Sequence, residues 1–235
     1  MKKTKKTIAI HQPNYLPWLG FYDKIAKADS WVVFDDVMIG NRSQSPVNRN
    51  RIKTPAGKAW LTVPVHADFD DLINEISIDY EQDWPKDHLK TIFYNHKKAP
   101  NFDKIYPLLE KVYSKKIDNL AELNLAFIDM FLGLFEIKRE RVKSSELKVP
   151  GKRNELLINI CKKVGADTYL AGQGSKDYMD LTMFEKADIE VVWQEFTHPI
   201  YPQLWGEFIP KLSALDYVLN VDPKGFFEKP GSNQA

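Results

Sequence analysis

Two hydrophobic periods alternate along the chain. Short, nearly continuous apolar runs at Thr7 to Ile10, Trp31 to Phe34, Thr168 to Ala171 and Ile189 to Trp193 have the length and β-branched or aromatic content of buried strands. Between them, apolar residues recur at helical spacing. Leu19, Tyr22, Ile25 and Ala26 predict a helix over 19–28, and Leu156, Leu157, Ile160 and Val164 predict one over 153–164 that Gly165 ends. Further helices are expected at 87–97, 104–114, 120–135 and 213–219. Val47 to Lys53 and Ala59 to Val65 flank Thr54-Pro55-Ala56-Gly57-Lys58, which fits a hairpin turn. An imperfect alternation at Ile73 to Ile78 suggests an edge strand. The strand, helix, strand order implies parallel crossovers. The expected fold is therefore α/β: a parallel-rich open sheet with flanking helices, an inserted β-hairpin and a helical middle. We expect one domain over 1–235, with a core at about 7–221 and a loosely ordered tail at 222–235.

In open α/β sheets ligands sit beyond the carboxyl ends of the strands. Three polar clusters fall at such ends. His11, Gln12, Asn14, Tyr15 and Trp18 follow the first run, Asp35 and Asp36 end the second, and Gly172-Gln173-Gly174-Ser175-Lys176-Asp177 follows the third. The glycines Gly172 and Gly174 permit close backbone approach, and Lys176 adds positive charge, so that turn suits an anion. It matches neither the P-loop nor the dinucleotide fingerprint. Each cluster also has a plain structural reading: Pro13 and Pro17 starting a helix, Tyr15 and Trp18 packed as core, Asp35 and Asp36 capping a loop.

Two more clusters stand apart. The run from Asn41 through Arg42 to Arg51 is dense in guanidinium and amide groups, which suit carboxylates, phosphates or sugar hydroxyls. Strand alternation sets Asn48 and Asn50 opposite Arg49 and Arg51; the plain alternative is an exposed hairpin arm. His198, Tyr201, Gln203 and Trp205 repeat the His, Pro, Tyr, Gln, Trp content of the first cluster after another strand. His66, His88 and His96 are expected on the surface or on helix faces.

Composition narrows the classes. A net charge of +1 gives no footprint for nucleic acid. The single cysteine, Cys161, excludes an intramolecular disulfide and a cysteine-cluster metal site, and points to a reducing compartment. MKKTKKT is not followed by an apolar segment long enough for export, and the most apolar window, Leu125 to Ile137, is too short for a membrane span. A cytoplasmic protein is expected.

Six ordered motifs resemble one family. They are His11-Gln-Pro-Asn-Tyr-Leu-Pro-Trp-Leu-Gly20, Phe34-Asp-Asp36, Asn48-Arg-Asn-Arg-Ile-Lys53, Trp60-Leu-Thr-Val-Pro-Val65, Gly165-Ala-Asp-Thr-Tyr-Leu-Ala-Gly172 and His198-Pro-Ile-Tyr-Pro-Gln203. Together they look like the WbqC-like protein family. The resemblance implies bacterial O-antigen, lipopolysaccharide or related surface-polysaccharide synthesis and a glycine-transferase role. A weaker similarity links the opening strand, turn and helix to nucleotidyltransferase-like domains of the HUP type, although the turn Asn14 to Trp18 lacks their paired histidines.

The resulting expectation is a transferase placing glycine or a small acyl group on a nucleotide-linked amino sugar. His11 or His198 would be the base, and Asp35 or Asp36 would orient it or hold a divalent ion. Arg49, Arg51 and the Gly172 to Lys176 turn would hold phosphate, and Tyr15, Trp18 and Trp205 would stack on a ring. The metal and the cofactor both stay open, with ATP, or a nucleotide sugar with magnesium, as the candidates. The alternatives are an ATP-dependent amino-acid-activating or nucleotidyl-transferring enzyme and a non-catalytic partner of a pathway enzyme.

Overall fold

The computed structural model describes residues 5–41 and 43–227. Arg42, the basic start 1–4 and the tail from 228 onward lie outside the described residues. In chain order, β1 (Thr7–His11), α1 (Leu19–Ala26) and β2 (Ser30–Val33) are followed by the hairpin β3 (Arg49–Thr54) and β4 (Gly57–Thr62). The short strands β5 (Val65–His66) and β6 (Ser77–Ile78) come next, then the helical middle: α2 (Trp84–His96), α3 (Phe102–Tyr113) and α4 (Leu120–Leu134). The last third holds β7 (Glu140–Lys143), α5 (Ser144–Leu147), α6 (Asn154–Lys163), β8 (Thr168–Ala171), α7 (Leu181–Glu185), β9 (Glu190–Trp193) and α8 (Ala214–Asn220).

The described residues form two compact units. The first holds residues up to 12, Asp23–Asp36 and Lys138–Phe196; the second holds Pro13–Tyr22, Val37–Ile137 and the chain from Thr197. In the first, five parallel strands run in the order β7-β2-β1-β8-β9. Chain direction across the sheet reverses between β1 and β8, which makes that boundary a topological switch point. Ile8, Ile10, Val32, Tyr169 and Ala171 pack with Ile158 and Cys161 of α6 and Phe184 of α7. Gly165, at φ +67°, ends α6 in the left-handed conformation that glycine adopts without strain.

The second unit is held by aromatic packing. Tyr22 contacts Phe131 and Phe135, and Tyr15 sits edge-on to Phe127 of α4. Asn119 caps α4 by accepting from the Glu122 N–H, and Ser213 caps α8 by accepting from the Leu215 N–H. Part of the expected loose tail packs here, with Phe226 on Tyr217 and Phe227 edge-on to Phe135.

Three expectations change. Ile73 to Ile78 is not a strand of the main sheet: Ile73–Glu75 is a single 3-10 turn, and β6 pairs with β5 as a separate two-stranded piece. The second hairpin strand stops at Thr62 rather than Val65 because Pro64 cannot donate to a ladder. For His88 and His96 the expectation of surface or helix face narrows to a helix face: they are 7% and 0% exposed and in α2 fall on the same buried stripe as Trp84 and Ile92.

Candidate functional site

The expected residues divide between the two units. At the carboxyl edge of the parallel sheet, His11 ends β1, Asp35 and Asp36 follow β2, and Gly172 to Asp177 follows β8. Most polar groups along this edge are bonded to one another. Asp35 accepts from the Ser144 hydroxyl at 3.1 Å and from the Ser145 N–H and hydroxyl at 3.0 and 2.8 Å; Asp36 accepts from Ser144 Oγ. Gln173 donates to the Gln194 carbonyl, Gln194 donates to Asp23 Oδ2 at 2.8 Å, and Lys27 pairs with Asp23 at 3.0 Å.

His11 donates Nδ1–H to its neighbour's carbonyl, Gln12 O, at 3.0 Å. Burial, then the charge of Lys24, lowers its pKa to about 3, so it is a neutral and weakly basic imidazole. Lys24 is itself buried, donates to the Ile10 carbonyl at 2.9 Å and is lowered by burial to about 7. Lys176 and Asp177 are exposed, with the Lys176 ammonium 5.4 Å from the Trp193 ring. A Cβ at Gly172 or Gly174 would meet nothing within 4 Å, so neither glycine is demanded by local packing.

In the second unit the first cluster builds one wall of a cleft. Leu16 takes φ +41°, unusual for a bulky residue, and the Asn50 amide holds this turn by donating to Leu16 O at 2.7 Å. Asn50 spends its other end on the Arg51 N–H. The Trp18 ring lies over Gly20, where a Cβ would come within 2.3 Å of it. His198 stacks on Trp18 at 6.3 Å and 7°, and donates Nδ1–H to Pro199 O at 2.9 Å. Burial first, and Lys211 after it, lower the His198 pKa.

The cleft, of about 330 Å³, is lined by Asn14, Pro17 and Trp18, by Gln44, Ser45 and Pro46, and by Arg49, Asn50, Arg51, Trp60 and Lys211. Its size is at the low end of small-molecule pockets. Arg49 lies 4.0 Å and Arg51 5.3 Å from the centre of the Trp60 ring, the pairing expected from alternation along β3. Arg49 also donates to Ser43 O at 2.8 Å. Among the described residues no carboxylate lines the cleft, and neither guanidinium nor the Lys211 ammonium is paired with one. Asn14 is 6% exposed and its Oδ1 has no hydrogen-bond partner.

Several expected ligand contacts are framework instead. Tyr15 is wholly buried, its hydroxyl bonded to His88 and Tyr113, so its ring offers no stacking face. Tyr201 donates to Asp216, Gln203 bridges Asp216, Ile209 O and Lys53, and Trp205 donates to Asn95 O. Asn48, also buried, donates to Val63 O. Lys211 and Lys24 were not anticipated; each is a lone lysine with no motif around it. Trp60 falls within one of the six family motifs, and its place opposite Arg51 in the hairpin register marks it. Among the described residues no group of three or more His, Cys, Asp and Glu side chains gathers as a metal shell. No helix among them is long and apolar enough to cross a membrane.

Fold and cleft together define an α/β protein with a cation-lined cleft. A model of the WbqC-like protein family matches residues 12–226, beginning one residue after His11. The chain is 34% identical over 220 residues, covering 92% of its own length and 94% of the relative's, to the uncharacterized protein Rv1507c of Mycobacterium tuberculosis. The chain therefore belongs to the WbqC-like family. No solved structure matches it.

Proposed function

We propose that this WbqC-like protein is a transferase of bacterial surface-polysaccharide synthesis that places glycine or another small acyl group on a nucleotide-linked amino sugar. The observation that carries the reading is the cleft of the second unit. Among the described residues, Arg49, Arg51 and Lys211 supply positive charge with no carboxylate in the lining to consume it, and Trp60, half exposed, supplies a flat face. Forked guanidinium donors suit phosphate oxygens, and indole rings suit a base or sugar face. In the reaction, the acceptor amine attacks the carbonyl carbon of an activated acyl donor, a thioester or acyl phosphate. The C–N bond forms, the bond to the leaving group breaks with its electron pair, and the amine proton passes to a base. His198 is assigned that role because it belongs to the same unit and stacks on Trp18. Asp35 and Asp36 are assigned to holding the sheet edge through Ser144 and Ser145.

Isothermal titration with a uridine diphosphate-linked amino sugar tests this reading. The wild-type protein is expected to bind and Arg51→Ala to bind at least tenfold more weakly. A second reading has one observation in its favour, the switch point between β1 and β8. There an ATP-dependent enzyme would activate an amino acid and release pyrophosphate. Binding of ATP with pyrophosphate release, and none of the nucleotide sugar, would replace the first reading with the second. Silence to both would favour a non-catalytic partner in the pathway.

A further inference from the structure

We infer that the cleft binds its amino-sugar acceptor with the amine uncharged, selecting the neutral amine by a wall of three cations that contains no carboxylate. This rests on the transferase reading above and adds the protonation state in which the substrate is recognised. An ammonium group entering the cleft would meet Arg49 and Arg51 from β3 and Lys211 from the loop before α8. The neighbouring charges do not offset them. Lys53, the next inward-facing residue of β3, is a further cation, tied to Gln203 Oε1 and the Glu207 carbonyl. Asp216 of α8 is buried and already accepts from Tyr201 and Gln203, and burial raises its pKa. His198, stacked on Trp18, is lowered by burial first and by the charge of Lys211 after it. A like charge disfavours the protonated form of an amine, and the effect grows as water is excluded.

The sugar-linked diphosphate carries two negative charges against three cations, so one positive charge stays in excess to disfavour the proton on the nucleophile. Of the amides lining the cleft, Asn50 is committed to the Leu16 turn and the Arg51 N–H. Asn14 Oδ1 is shut off from solvent, and Gln44, exposed in the lining, is the amide whose carbonyl can accept from an amine N–H. An activated amine of this kind is nucleophilic at neutral pH without a strong base.

The test is calorimetric titration of the full chain with two probes, a uridine diphosphate-linked 4-amino-4-deoxy sugar and its 4-hydroxy counterpart, from about pH 6 to about pH 9. The hydroxy probe corrects for titration of the protein itself. Relative to it, the amino probe is expected to gain affinity by up to about tenfold per pH unit below the pKa of its free amine. Lys211→Gln is expected to flatten that gain while both probes still bind. Equal pH profiles, or tighter binding of the amino probe at low pH, would overturn the inference and leave the transferase reading standing. Failure of both probes to bind at any pH would overturn the reading beneath it.

Discussion

The carboxyl edge of the parallel sheet and the cleft of the second unit are both crowded with polar side chains, yet they differ in what those side chains do. At the sheet edge Asp35, Asp36, Asp23 and Gln194 are bonded to hydroxyls, amides and Lys27. At the cleft Arg49, Arg51 and Lys211 have no carboxylate among the described residues. Buried polar groups that satisfy one another rigidify a fold, whereas cations left uncompensated cost stability and are retained where a ligand completes them. Polar density marks both regions, and only the pairing separates them.

The largest expected effect concerns acid. His88 and His96 both belong to the second unit, and burial lowers each to about 4 from the ordinary 6.5. As pH falls below about 6.5 the unfolded chain takes up these protons first, so stability is lost down to about pH 4 and no further from this cause. Each histidine contributes up to about 1.4 kcal/mol per pH unit in that window. The first unit holds one such group, His11, lowered to about 3, against two in the second, so hydrogen exchange followed by mass spectrometry at pH 7 and pH 5 should show more protection lost in α2 and α3 than in β1 and β8. Equal loss in both units would break the comparison on this point.

A smaller effect is expected at the sheet edge. Asp35→Ala strands the Ser145 N–H and should cost about 1–3 kcal/mol, read as a lower urea midpoint with an unchanged slope. Smallest of all is Arg51→Ala, which should leave the midpoint within about 0.5 kcal/mol of wild type while weakening ligand binding. Should Arg51→Ala prove as destabilising as Asp35→Ala, the cleft arginine is framework and the contrast between the regions fails.

Much of the fold could be read from the chain because buried parallel strands are continuous apolar runs. β8 was anticipated at Thr168–Ala171, where all four residues are buried. β7 escaped because it is an edge strand reading Glu-Arg-Val-Lys, which has no such run. At the cleft, Arg49 and Arg51 were legible through their forked chemistry and the alternation of β3. Tyr15 and Gln203 were misleading for a physical reason: residue type states what a side chain can bond, and packing decides whether its partner is a ligand or Asp216, His88 and Tyr113.

Cys161 is fully buried in α6, and burial pushes its thiol up to about 12. A native thiol held in that state reacts too slowly with maleimides to compete with an exposed cysteine. The wild-type chain is thus already a blank background for attaching dyes or spin labels. One new cysteine near the cleft and another in the loop after β8 would turn it into a two-label probe of distance changes on ligand binding, with the native cysteine left in place.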